Sequence, residues 1–294
     1  AKTDSIDAEG ICIYLQDKRK KLFTYTPPSY HSLQLKSLYR EMIKMNKLIT
    51  QSKNRLTGLV HTVFPEFLTV FPKINGNAVY FLLNKYSTPN SYKGKRAETI
   101  CKLVLKEGHG RTSIDNIEKI ISLSKESIGT YNHSDALLIK QLSSLISIFE
   151  EQKKELIEEM TNIIKEHFPK ILSIPGIGGN TAAGIIGEIG DISNFHSSDS
   201  LLAFAGLNPL VYESGKFKAL HTRISKKGSS YLRNALTLVA RSIIKHDETF
   251  SKYYLKKRDE GKSYNTAICH VRKKIVRVIY SILKNNNEYK SLNN

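Results

Sequence analysis

Residues 35–63 read LKSLYREMIKMNKLITQSKNRLTGLVHTV. Leu35, Leu38, Met42, Met45, Ile49, Ser52, Leu56, Leu59 and Val63 follow one another at alternating steps of three and four. Those steps put the side chains on one face of a 3.6-residue helix, so the stretch predicts a long helix over 29–64 with a heptad seam. Ser52 is its single polar lapse, and Pro65 ends it. A second long helix is expected over 134–168, where Leu138, Leu142, Leu145, Phe149, Leu156 and Ile163 keep the same register and Gln152 and Glu159 interrupt it. The seams fit an antiparallel fold-back within one chain and equally a pairing between subunits. A homodimer or homotetramer is expected. Residues 65–133 read as a helical insert with polar loops (KYSTPNSYKGKR, KEGHGRTS). No alternating strand pattern of any length occurs, and only Leu210–Tyr212 and Ala219–His221 look strand-like. The fold class is mainly α.

The 294 residues suffice for one large domain or two to three small ones. A hydrophobic content of 40%, with 15 Tyr and 11 Phe, supports a packed core and excludes global disorder. The formal charge of +18 points to a polyanionic partner, with nucleic acid favoured over a merely solvated basic face. No apolar run approaches the ~18 residues of a spanning helix, and no signal peptide is seen, so no membrane partner is expected. Cys12, Cys101 and Cys269 are isolated and odd in number, which fits neither a disulfide framework nor a zinc site and suggests an intracellular chain.

The charge gathers in residues 169–294, where 19 Lys/Arg face nine Asp/Glu from Ile171 onward. This region opens with Ile174-Pro175-Gly176-Ile177-Gly178, followed by Thr181-Ala182-Ala183. An apolar residue, Pro-Gly-x-Gly and a small-residue helix start make a helix-hairpin-helix pattern over 171–190. Gly176 and Gly178 would leave backbone N–H groups for a phosphate, or simply turn the chain between two core helices. The region closes with VRKKIVRVIYSIL, an amphipathic basic helix.

Between these lies VYESGKFKALHTRISKKGSSYLR, residues 211–233. Six Lys/Arg and no carboxylate fall between Ser214 and Asn234. Ser214-Gly215 reads either as a turn or as a hydroxyl nucleophile among Lys216, Lys218, His221, Arg223, Lys226, Lys227 and Arg233. Such cations neutralise phosphate oxygens and lower the cost of alkoxide attack. Ser225, Ser229 and Ser230 look like caps of turns or helices. Near the start, Asp4 and Asp7 sit three apart, on one face of a helix, where they would share a divalent cation or serve only as N-terminal helix charges.

The run IPGIGGNTAAGIIGEIGDISNFHSSDSLLAFAGLNPLVYESGK…RISKKGSSYLRNAL resembles the C-terminal domain of the DEDD transposases of the IS-one-ten / IS-eleven-eleven insertion-sequence family, the bridge-RNA-guided serine recombinases. KTDSIDA is similar to the end of that family's RuvC-like domain, and KNRLTGLVHTVFPEF fits the helix that follows it. The resemblance implies a RuvC-like remnant at 1–28, long coiled-coil helices and a serine domain at 169–294. It implies that Asp4 and Asp7 are two of four acidic Mg2+ ligands, and that Ser214 forms a covalent phosphoserine link to DNA. Lys216, Lys218, Arg223, Lys226, Lys227 and Arg233 would then contact phosphate. A structured noncoding guide (bridge) RNA would pair with the DNA, in the cytoplasm and nucleoid of a prokaryote. The other two acidic residues would lie upstream of Lys2, so the chain is expected to be a fragment, inactive alone. The competing reading is a non-catalytic DNA- or RNA-binding protein using the same basic domain.

Overall fold

The computed structural model describes residues 4–19, 24–209, 213–214, 217–218 and 224–291, without the side chains of 213, 214, 217 and 218. Helices dominate. In chain order they are α1 (Asp4–Lys18), α2 (Tyr30–Val63), α3 (Phe67–Val70), α4 (Asn77–Lys85), α5 (Ala97–Lys106), α6 (Ile114–Leu123), α7 (His133–His167), α8 (Gly179–Ile189), α9 (Ser198–Phe204), α10 (Ser230–His246), α11 (Glu248–Asp259) and α12 (Tyr264–Asn285). Two short strands, β1 (Glu213–Ser214) and β2 (Phe217–Lys218), interrupt this run. The strand-like stretches 210–212 and 219–221 lie outside the described residues. No described helix is long and apolar enough to cross a membrane.

The chain divides into two compact units: Ala1–Arg40 with Glu159–Asn294, and Glu41–Glu158. In the second unit, Ile49, Leu56, Val60 and Val63 of α2 share one buried core with Ile139, Leu142 and Ile146 of α7 and with residues of α4, α5 and α6. The Thr130 N–H donates to the Thr62 carbonyl (3.1 Å), and Lys53 pairs with Glu150 at 2.6 Å. The two long helices therefore run antiparallel here, within one chain. Tyr80 donates its hydroxyl to Glu150 at 3.2 Å, which fixes α4 to the same pair.

Burial along the long helices is wider than a narrow two-stranded seam. On α2 the seven-residue line Leu35, Met42, Ile49, Leu56 and Val63 is buried, while Leu38, Met45, Ser52 and Leu59 are half-buried. On α7 the buried apolar positions are Ile139, Leu142, Ile146, Met160, Ile163 and Ile164. Leu145, expected in the seam, is 38% exposed, and Ile146 takes the inward place. A helix that shares a core with several neighbours buries a broad apolar stripe rather than a strict two-position line.

In the first unit α8 is the central element, buried from Ala182 through Ile189. It packs on α10, which in turn packs on α11 and α12. Its glycines let α2 approach closely. A Cβ on Gly184 would lie 2.5 Å from the Tyr39 ring, and one on Gly187 would lie 2.5 Å from the Lys36 backbone nitrogen. Backbone cannot swing away as a flexible side chain can. Gly187→Ala is therefore expected to cost about 1–3 kcal/mol through overpacking. Thermal denaturation checks this against Gly58→Ala, where the added methyl meets nothing within 4 Å and stability should hold or rise.

Candidate functional site

The basic turn Ser225-Lys226-Lys227-Gly228 is built on the segment after α9. Ser225 N–H donates to the Asn208 carbonyl (2.8 Å) and Lys226 N–H to the Gly206 carbonyl (3.1 Å). Next to these bonds, Pro209 bridges to Ile224. The two backbones approach so closely that a side chain is excluded on both. A Cβ on Gly206 would lie 2.3 Å from the Lys227 carbonyl oxygen, and one on Gly228 would lie 2.0 Å from that of Phe204. Lys226 itself adopts a left-handed φ of 52°, an uncommon state for a residue with a side chain. Lys226 and Lys227 are exposed. Arg233 donates from Nη1 to the Gly228 carbonyl (3.0 Å), so it braces the turn from α10.

A buried carboxylate clamps this turn from beneath. Glu188, on α8, is 4% exposed. Arg40 of α2 grips it with two bonds, Nε to Oε1 at 2.6 Å and Nη2 to Oε2 at 3.0 Å. The Ser229 hydroxyl also bonds to Glu188, while accepting the Leu232 N–H at 3.2 Å as the cap of α10. The Arg40 guanidinium lies 4.9 Å from the Tyr231 ring centroid, a cation–π contact on the first turn of α10. Burial pushes the Glu188 carboxyl up. The bonds from Arg40 and Ser229 and the charges of Arg40 and Lys36 outweigh it and hold the group below its ordinary value. α2, α8 and α10 thus converge on one ionised carboxylate directly under the cationic turn.

β1 pairs antiparallel with β2, with Ser214 opposite Phe217. The side chains of Ser214 and Lys218 are not described, and Lys216, His221 and Arg223 lie outside the described residues.

The Pro-Gly-x-Gly turn stands at the other end of α8, about 15 Å from Glu188 at 1.5 Å per residue. Gly176 has φ 82°, and a Cβ on it would lie 2.7 Å from Ser242 Oγ of α10, so tight packing accounts for this glycine. The Gly178 N–H donates to Thr181 Oγ1 (3.2 Å), which uses internally one amide that a phosphate would need. Gly178 is exposed at the start of the helix.

Asp4 and Asp7 lie in the first turn of α1, a helix that buries none of its residues. Their oxygens suit Mg2+, whose octahedral shell is commonly made of one or two carboxylates with water and substrate phosphate oxygens. Among the described residues no group of three or more His, Cys, Asp or Glu is placed to hold a metal.

Motif and composition alone do not single out Glu188 and Arg40. The available signal was a lone carboxylate at the centre of the apolar run GIIGEIG, since such a residue is seldom buried without a partner.

A family model described as "Transposase IS116/IS110/IS902 family" matches residues 169–255. A second, of the IS110 DEDD type and described as "Transposase", matches residues 1–65. The chain is 25% identical over 248 residues to the insertion element IS110 uncharacterized 43.6 kDa protein of Streptomyces coelicolor, covering 82% of this chain and 60% of that protein. It is 34% identical over 138 residues to the transposase for insertion sequence element IS1111A of Coxiella burnetii, covering 45% of this chain and 38% of that one. The pilin gene-inverting protein of Moraxella bovis is 28% identical over 120 residues, covering 40% and 37%. The chain thus covers 60% or less of these relatives' lengths.

Proposed function

The chain belongs to the insertion-sequence transposase family of the IS116/IS110/IS902 type, and from that premise we propose that it cleaves and rejoins DNA strands in transposition. Ser214 is the nucleophile. Its Oγ attacks a phosphodiester phosphorus, a P–O bond to serine forms, and the bond to one sugar oxygen breaks, releasing that strand end as a hydroxyl. A hydroxyl of the other strand then attacks the phosphoserine, re-forms a phosphodiester and returns Ser214 to its starting state. Lys216, Lys218, Arg223, Lys226 and Lys227 supply positive charge to the non-bridging oxygens at the transition state. Arg233 acts mainly by bracing the turn.

In this reading residues 1–28 close a RuvC-like domain and 171–190 form a helix-hairpin-helix that meets a phosphate. Asp4 and Asp7 are two ligands of Mg2+, which when bound neutralises charge on the scissile phosphate. A structured noncoding RNA selects the DNA by base pairing, leaving the protein to contact backbone and shape. The centre is completed between subunits of a homodimer or homotetramer. The single observation that carries the proposal is the clamped turn. The fold commits a buried ion pair and two close backbone contacts to present Lys226 and Lys227, about ten residues along the chain from a short hairpin that bears a serine. The gene-inverting relative supports rejoining as well as cleavage.

The test is incubation of the chain, within a protein of the full length of its curated relatives, with insertion-sequence ends and the adjoining noncoding transcript. Joined recombinant strands are expected. Steeply salt-dependent binding with no cleaved or joined product would instead support the non-catalytic reading.

A further inference from the structure

A second cationic surface lies on α11 and α12, beyond the 214–233 stretch. Between Phe250 and Lys274 the sequence places eight Lys/Arg against two carboxylates. Three of the charges here and just beyond are answered locally. Lys252 pairs with Glu248 at 2.7 Å, Lys257 with Glu260 at 2.7 Å, and Arg277 with Asp199 at 3.5 Å. Lys256, Lys262 and Lys273 make no direct ion pair among the described residues, and the one carboxylate whose titration Lys256 and Lys262 shift, Glu260, is already paired with Lys257.

The two helices pack together, so these charges converge rather than spread. Lys274 Nζ stands 4.8 Å from the Tyr253 ring centroid and Lys257 Nζ 5.7 Å from the same centroid, so one tyrosine serves two ammonium groups. His270 is held below its ordinary value by burial first, then by Lys257, Lys273 and Lys262, with Glu260 alone opposing them. Aromatic surface sits among the cations. Tyr254 and Tyr264 meet edge to face at 6.2 Å, and Tyr264 is 43% exposed. Uncompensated like charges cost stability in the free protein, and a polyanion laid across them recovers that cost.

We propose that the α11–α12 hairpin, through Lys256, Lys262 and Lys273, is a second contact surface for the phosphodiester backbone of a nucleic acid. This rests on the reading that the protein works on nucleic acid. It adds a surface separate from the serine turn, one that anchors a strand flanking the exchange point.

The test compares the protein with its triple variant Lys256→Gln/Lys262→Gln/Lys273→Gln by fluorescence anisotropy across a salt series. A short DNA duplex and a single-stranded RNA are the probes. A control variant, Lys93→Gln/Lys95→Gln/Lys102→Gln, removes three exposed lysines from the other unit. The expected result is about tenfold or greater loss of affinity in the triple variant. The slope of log affinity against log salt should flatten by about 3 on duplex and about 2 on single strands. The control should stay near the unmodified protein, and the probe with the larger loss identifies which nucleic acid lies on the hairpin. Unchanged affinity and slope on both probes, or an equal loss in the control, overturns the assignment while leaving transposition standing. No binding by the unmodified protein overturns both. Should the triple variant not melt cooperatively, Lys256→Gln/Lys262→Gln, at exposed positions, decides the matter in its place, with an expected duplex slope change of about 2.

Discussion

In the full-length enzyme, Ser214→Ala is expected to lower strand exchange by at least about 10^4-fold while leaving nucleic-acid affinity within about twofold. Removing a nucleophile deletes the covalent route outright, and losses of this order follow when such a group is cut away. Binding should survive because a serine carries no charge, and the electrostatic term in DNA affinity comes from Lys and Arg. The neighbouring serines provide the contrast. Ser229 has a structural task, since it caps α10 and bonds Glu188, so Ser229→Ala should lower stability as well as exchange. Ser225 joins the 206–208 segment through its backbone, and Ser225→Ala should keep most activity. Exchange assays on the three alanine variants, each with a melting curve, check the assignment. Full activity in Ser214→Ala, or selective loss in Ser225→Ala, contradicts it.

Arg40→Ala is expected to destabilise the first unit by about 2–4 kcal/mol, because it leaves a buried carboxylate without its cation. The figure sits below that of a fully enclosed pair because the Arg40 side chain is 40% exposed, whereas that of Glu188 is 2% exposed. The pH dependence has a definite sign. Glu188 titrates below its ordinary value of 4.5 in the folded protein. Its contribution is therefore fully present above that pH and is lost as pH falls through the lower, folded value. Without Arg40, burial prevails and the carboxyl takes up its proton more readily, so acid relieves the defect. The stability gap between parent and variant should be widest near neutral pH and should narrow below about pH 4.5. Urea denaturation at several pH values measures this. A gap independent of pH would show that lost packing, not the unpaired charge, sets the cost.

The long helices were legible because their apolar residues repeat at helical spacing over many turns, and Pro65 marks an end that needs no context. The inward register of α7 was not. Leu138 and Ile139, and likewise Leu145 and Ile146, are adjacent apolar pairs, so periodicity alone cannot say which member turns inward. The neighbours decide it, and they bury Ile139 and Ile146. Gly176 and Gly178, just before α8, read as a phosphate-binding signature, whereas nothing in the sequence accounts for Gly184 and Gly187, which are small because α2 lies against them. That requirement comes from residues about 150 positions away in sequence. The same distance hides the Arg40–Glu188 pair. At the basic turn, composition announced positive charge but left four serines open, and only the family pattern singles out Ser214. The short strands that carry it pair locally with each other, and segments of two residues are too brief to show a strand pattern.

Everything proposed for the serine hairpin turns on a covalent protein–DNA intermediate, and that intermediate can be trapped. The protein is incubated with a nicked insertion-sequence end, so that the released strand leaves and the reverse reaction is prevented. The linked product is then digested and the nucleotide-bearing peptide located by mass spectrometry. The expected product carries a phosphodiester on Ser214 and is absent from the Ser214→Ala protein. A nucleotide on any other residue, or exchanged strands with no covalent protein–DNA product, would rule out Ser214 as the nucleophile.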